Sequence, residues 1–286
     1  MSDVVSAAPV TVAAVQMTSL ADRDANLATA GRLLERAAAA GARVAVLPEN
    51  FSFMGAREGD RRAQGEPDGD GPVQRFLAER ARALKVWIVG GTAPIARESG
   101  GRVAAACLVY DDAGCRVARY DKIHLFDVDI PEKNERYRES NHIEPGHAPV
   151  VVDTPAGRLG LSVCYDVRFP ELFRAMADAG AEWFTVPAAF TVPTGRAHWE
   201  TLLRARAIEN LAWVVASGQW GTHANGRDTY GHSLIVDHWG EVRACLEAGE
   251  GIVTAAIDRA AQAATRRSFP ALAHRVLGRP SPATGP

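Results

Sequence analysis

Short apolar runs, each closed by glycine, proline or a polar cluster, recur along the chain and alternate with longer stretches of helical spacing. Residues 10–17 (VTVAAVQM) read as a strand. A helix follows, opening at Asp24 or Asn26, carrying Leu27, Leu33, Leu34 and a run of alanines, and closed by Gly41. Residues 43–47 (RVAVL) form the next strand and run straight into Pro48-Glu49-Asn50, so the first fifty residues read as a crossover unit. Residues 56–71 are polar and glycine-rich, a surface loop and a candidate lid, and 72–84 have amphipathic helical spacing. Strands are predicted at 86–91, 103–111 and 116–120, the last two joined by a turn at 112–114. The stretch 127–149 is irregular and rich in charge, proline and glycine, and a long structureless loop in a compact domain is usually functional.

The second half repeats the alternation. Residues 150–154 and 158–163 read as a hairpin around Pro155-Ala156-Gly157, and the second strand ends at Cys164. The chain turns through residues 165–169, and Pro170 opens a helix where its missing N–H costs nothing, with Gly180 as the stop. A strand at 183–186 is ended by Pro187. The strongest helical pattern is 196–210, with Trp199, Leu202, Leu203 and Ile208 on one face. Strands follow at 212–217, 232–237 and 251–257; the tail after Ser268 carries few elements, residues 1–9 read as a loose terminus and 280–286 as disordered. The pattern predicts an α/β fold with buried sheets, two of them between helices, as one domain over 1–286 with its core at about 10–275.

Composition narrows the classes. With 286 residues, 47% hydrophobic and 23% charged, the chain can bury a large core. A net charge of -2 argues against a nucleic-acid partner. No apolar run is long enough to span a bilayer, and the first residues lack the basic region of a secretory signal, so no membrane partner is expected. Cysteines 107, 115, 164 and 245 show neither metal spacing nor disulfide density, which suits a reducing cytoplasm.

Glu49, Lys122 and Cys164 each lie at or just beyond the carboxyl end of an apolar strand, where α/β sheets gather their ligands. A thiol of pKa about 8.5 is mostly protonated at neutral pH. Glu49 can take its proton, Lys122 can favour the thiolate and the oxyanion formed when sulfur attacks a carbonyl carbon, and the backbone N–H of Tyr165 can supply a second oxyanion donor. Such a set hydrolyses an amide through an acyl-thioester and needs neither metal nor cofactor. Each residue also has a plainer reading: Cys164 as a small core hydrophobe, Glu49 as a helix cap, Lys122 as a surface ion pair.

The stretches LPEN (47–50), DKIHLFD (121–127) and CYDVRFPEL (164–172) resemble, in order, the signatures of the nitrilase, or carbon–nitrogen hydrolase, superfamily. The resemblance implies a four-layer α-β-β-α sandwich, a Glu-Lys-Cys triad at Glu49, Lys122 and Cys164, and a second glutamate that positions the lysine, for which Glu139 within YRES (137–140) is the candidate. It also implies a homodimer or higher homo-oligomer. Residues 194–200 and 203–210 resemble the branch of deaminated-glutathione amidases and ω-amidases; ASGQ (216–219), YGHS (230–233) and FPALAHR (269–275) lean to the former. The implied substrate is a small amide, carboxylate-bearing, with deaminated glutathione first, and α-ketoglutaramate, N-carbamoyl amino acids, nitriles or a catalytically silent binding role as alternatives. PEKNER (131–136) departs from the expected loop. Arg168 is a candidate carboxylate anchor or an internal partner of Asp166 or Glu171. His198 is expected to pack on its helix, and His124 to shape the pocket.

Overall fold

Two sheets stack face to face in the computed structural model, which describes residues 8–97, 101–130 and 135–277. The first holds β1 (Val10–Gln16), β2 (Val44–Val46), β3 (Trp87–Val89), β4 (Ala93–Ala96), β5 (Val103–Tyr110), β6 (Arg116–Asp121) and β17 (Gly251–Ile257). β1, β2 and β3 run parallel, with Val12 opposite Val44 and Val44 opposite Trp87. β17 pairs antiparallel with β1, while β5 takes β3 and β4 end to end along one edge and β6 along the other.

The second sheet holds β9 (Val151–Thr154), β10 (Gly157–Leu161), β11 (Trp183–Ala188), β12 (Trp213–Gly218), β15 (Ser233–Val236) and β16 (Val242–Leu246), in the order β16-β15-β12-β11-β10-β9. Two hairpins stand apart: β7 (Asp127–Ile130) with β8 (Glu135–Arg138), and β13 (Trp220–Thr222) with β14 (Asp228–Tyr230). Helices α1 (Arg23–Ala39) and α2 (Pro72–Leu84) cover the outer face of the first sheet, and α3 (Pro170–Asp178) and α4 (Val192–Asn210) that of the second. The architecture is the four-layer α-β-β-α sandwich. The layering explains the unbroken apolar runs. On β1, Val12 and Ala14 join the core between the sheets, while Ala13 and Val15 join the core beneath α1 and α2. With both faces covered, no strand position needs a polar side chain, and each buried valine contributes about 1.5–3 kcal/mol.

Several elements differ from the sequence expectation. α1 opens at Arg23, ahead of both expected starts, and is capped by Asp22, whose side chain accepts from the Ala25 N–H. Asn26 is buried instead and ties Leu20 to Ser52. Pro187 does not end its strand. The Thr185 carbonyl accepts from Ser162 on the β10 side, so Pro187 turns its missing N–H to that same side, past the end of β10 at Leu161. α4 opens at Val192, with proline in its first turn, and its inner face differs from the expected one: Ile208 is 50% exposed, whereas Arg206 and Asn210 are buried beside Trp199 and Leu203. The stretch read as irregular contains the β7–β8 hairpin, and β4, β13, β14, β16 and α5 (Arg259–Ser268) were not anticipated. The expected disorder at 280–286, most of the loose terminus at 1–9 and most of the 131–136 loop lie outside the described residues. No described helix is long and apolar enough to cross a membrane.

Candidate active site

Three strand ends converge at one edge of the sandwich. Glu49 lies just past β2, on a loop held by the Asn50 N–H donating to Thr92 Oγ1 at 2.8 Å. The chain leaving β3 passes so close that a Cβ on Gly91, whose φ is +50°, would stand 2.0 Å from the Pro48 carbonyl oxygen, so glycine alone fits there. Lys122 follows β6; its N–H donates to the Ala105 carbonyl and its own carbonyl accepts from Gly146. Cys164 begins a 3-10 turn (Cys164–Arg168) after β10, with φ at +48°. A non-glycine residue in the left-handed region stores about 1–3 kcal/mol of strain, and such strain gathers at functional sites.

The side chains meet in a cavity of about 530 Å³, partly open to solvent. Lys122, 1% exposed, places Nζ 2.8 Å from Glu49 Oε1 and 2.8 Å from Glu139 Oε2. Glu139 Oε2 also accepts from the Phe126 N–H at 2.8 Å, and its Oε1 lies 3.7 Å from Arg61 Nη1. Glu49 Oε2 accepts the Ala189 N–H at 2.9 Å, and Cys164 lines the same cavity as this carboxylate. Lys122 and Arg61 thus balance Glu49 and Glu139.

The electrostatics follow from burial and charge together. Burial is the largest influence on Glu49 and pushes its carboxyl up, yet the charge and hydrogen bond of Lys122, helped by Arg61, outweigh it and hold Glu49 below its ordinary range. Burial pulls Lys122 down, but Glu139 and Glu49 more than reverse this, so the ammonium is held charged. Burial first, then the Glu49 charge, pushes the Cys164 thiol well up against the pull of Lys122. The resting site therefore holds Glu49 as a carboxylate, Lys122 as an ammonium and Cys164 as a protonated thiol.

Asp166 was missed by sequence reasoning. Fully buried, it accepts from Tyr120 Oη at 2.7 Å, the Val163 N–H at 2.8 Å and the His124 N–H at 3.1 Å, and lies 2.7 Å from His124 Nδ1. One carboxylate so ties the lysine segment of the first sheet to the cysteine turn of the second. Its position two residues after the cysteine was the available signal; Val163 alone of these partners is local to it, while Tyr120 and His124 lie 46 and 42 residues away.

Glu49, Lys122, Glu139, Cys164 and Tyr165 all line the cavity; Arg168 does not. Arg168 Nη1 lies 3.2 Å from His198 Nδ1, and its guanidinium lies over the Tyr165 and Phe190 rings, so it makes neither of the carboxylate contacts considered for it. His198 is exposed rather than packed, and His124 stacks on Phe169 outside the cavity lining. The arginines on the wall are Arg61 and Arg227. Arg61 belongs to a 3-10 helix, Glu58–Gln64, within the predicted lid segment. Among the described residues, no three of His, Cys, Asp and Glu cluster as metal ligands would.

The chain resembles proteins of one family throughout. The sequence profile of carbon–nitrogen hydrolases matches residues 11–267. A deaminated glutathione amidase of Yersinia enterocolitica is 49% identical over 203 residues, 71% of each chain. A deaminated glutathione amidase of Synechocystis sp. (strain PCC 6803) is 42% identical over 275 residues, covering 94% of this chain and 99% of that protein. The structure of Saccharomyces cerevisiae Nit3, described as a member of branch 10 of the nitrilase superfamily, matches with a TM-score of 0.84 and 29% identity, over 94% of this chain and 97% of that one.

Proposed function

The chain belongs to the carbon–nitrogen hydrolase family and is an enzyme of amide C–N bonds, and from that premise we propose that it cleaves a small carboxylate-bearing amide, deaminated glutathione foremost, through an acyl-thioester on Cys164. The observation that carries this reading is Lys122 Nζ held 2.8 Å from Glu49 Oε1 in the cavity that Cys164 also lines.

In this reading the resting thiol stays protonated, because burial and Glu49 both disfavour the thiolate. Proton transfer to Glu49 therefore accompanies attack: sulfur bonds to the carbonyl carbon as its proton passes to the carboxylate, so the negative charge moves from Glu49 to the substrate oxygen and the total charge of the site is unchanged. That oxygen is stabilised by the Lys122 ammonium and the Tyr165 N–H. Collapse breaks the C–N bond, Glu49 returns the proton to the leaving amine, and an acyl-thioester remains. Glu49 then takes a proton from water as its oxygen attacks the thioester, and the carboxylic acid leaves with the thiol restored. Glu139 keeps Lys122 aimed, and Arg61 offsets its charge.

Deaminated glutathione would yield α-ketoglutarate and cysteinylglycine, a repair reaction; an enzyme of this kind works in the cytoplasm, as a homodimer or larger homo-oligomer on the family resemblance. The test is hydrolysis of deaminated glutathione beside α-ketoglutaramate, by wild type and Cys164→Ala. Turnover of the first in preference to the second, abolished in Cys164→Ala, is expected. Preference for α-ketoglutaramate reassigns the substrate, and undiminished turnover by Cys164→Ala refutes the mechanism.

A further inference from the structure

Three cations face the cavity against two carboxylates, and the surplus charge sits at one place. Lys122 is shared by Glu49 and Glu139, and Arg61 by Glu139. Arg227 has no carboxylate within ion-pair distance among the described residues. We propose that Arg227 is the residue that reads the carboxylate of the substrate, an inference that rests on the amidase reading above.

The guanidinium is held ready for such a ligand. It lies 4.9 Å from the Tyr137 ring centroid and 6.0 Å from that of Phe126, which fixes its plane, and Nη2 donates to the Ala189 carbonyl. Its Nε is buried without a partner. A planar fork with an uncommitted buried donor matches the two oxygens of a carboxylate, and an unpaired buried donor is costly until one arrives. The backbone beneath it is equally fixed. Arg227 sits in the turn between β13 and β14, its carbonyl accepting from the His223 N–H at 2.9 Å and its N–H donating to Asn225 Oδ1 at 3.0 Å. His223 is itself buried, its ring nitrogens 2.9 Å from the Ser19 carbonyl and 2.8 Å from Thr229 Oγ1.

Ala189 sets the distance from the chemistry. Its N–H donates to Glu49 and its carbonyl accepts from Arg227, so a single residue separates the proton-transferring carboxylate from the guanidinium. A carboxylate a few bonds from the scissile carbonyl, on either the acyl or the amine side, falls within that span. This also accounts for the idle Arg168: the anchor comes from the β13–β14 turn and not from the cysteine turn.

The experiment compares kcat/KM of wild type, Arg227→Gln and Arg227→Lys on three amides: α-ketoglutaramate, with its carboxylate on the acyl side; N-butyryl-cysteinylglycine, with one on the amine side; and neutral butyramide. In Arg227→Gln, kcat/KM for one or both charged amides should fall about 10- to 100-fold relative to butyramide, chiefly through KM, and Arg227→Lys should recover part of it. The arm that falls identifies the carboxylate. Ratios within about twofold of wild type in both arms, or an equal fall on all three amides, overturn the proposal. Inhibition by α-ketoglutarate gives a second readout, and an inhibition constant unchanged in Arg227→Gln counts against the acyl-side anchor. If wild type itself shows no preference for a charged amide, the substrate reading fails as well; if it does and Arg227→Gln retains the preference, only the assignment to Arg227 fails.

Discussion

Replacing Lys122 by methionine isolates the electrostatic core of the site. Methionine keeps most of the side-chain volume and removes the charge, so packing changes little. Glu49 Oε1 and Glu139 Oε2 each lie 2.8 Å from Nζ, which leaves two buried carboxylates within about 6 Å of each other and no cation between them. At an effective dielectric of about 20 their repulsion alone is about 3 kcal/mol, and breaking a buried ion pair typically costs about 3–5 kcal/mol. For a chain of this size that is a loss of roughly 6–15 °C in Tm near pH 8. The cost should depend on pH in a defined direction. In wild type the Glu49 pKa is held below its ordinary 4.5, so its stabilisation is complete above that value and is lost only as pH falls through the lower folded one. In Lys122→Met, burial is no longer outweighed and the folded pKa rises above 4.5. The protonated form is then the favoured one, and its stabilisation, present at low pH, is lost as pH rises through the raised value. The Tm gap between wild type and variant should therefore be smallest at pH 5 and widest at pH 8. Thermal melts by circular dichroism across that range, at constant ionic strength, measure it. Adding Glu49→Gln to Lys122→Met should recover a large part of the loss at pH 8, because it removes one of the two repelling charges. A gap that is the same at pH 5 and pH 8, or a double variant no more stable than Lys122→Met, would refute the reasoning.

Two further outcomes follow from the same geometry. Because Glu49 is ionised above a pKa lower than 4.5 and Lys122 is held charged beyond its ordinary 10.5, kcat/KM should show no acid limb above pH 4.5 and no loss from lysine deprotonation below pH 10; a pH–rate profile with an acid limb centred between 6 and 7 contradicts the assignment of Glu49 as base. Tyr120→Phe withdraws a hydrogen bond from the fully buried Asp166 carboxylate and should cost about 1–3 kcal/mol, with kcat falling more than KM changes, as the lysine and cysteine segments lose a tie; an unchanged Tm shows that Asp166 is not the junction described.

The strands that carry the site were legible because their signal is local. Runs such as residues 12–15 and 44–47 are apolar at every position, and the polar residue that follows each run is visible as soon as the run is. Cys164, between an apolar strand and a proline-led helix, could be placed on its turn from the sequence alone. Elements with weaker periodicity escaped: the β7–β8 hairpin lies in a charged stretch with no apolar face to announce it, and α5 is anchored by polar bonds, with Gln262 Nε2 reaching the carbonyls of Glu182 and Leu211. Pro187 misled because a proline's effect depends on which neighbour its missing N–H faces, which is a property of the sheet. Ile208 misled because a helix with apolar residues around much of its circumference does not say which of them will be covered.

Sequence by itself determined the layered α/β fold and the residue types of the site, because burial pattern, turn residues and three motifs at strand ends are written in consecutive positions. Glu139 became readable only through family resemblance. Which charges meet, and which arginine faces the cavity, was decided only by the tertiary structure. Glu49 and Lys122 are 73 residues apart in the chain, and Asp166 is 46 from Tyr120; Arg227 reaches the site from a turn far along the chain from all of them. Coulombic and hydrogen-bonding energies depend on separations in space that no local pattern encodes, and so Arg168, well placed in the motif, lies off the cavity wall while Arg61 and Arg227 stand on it.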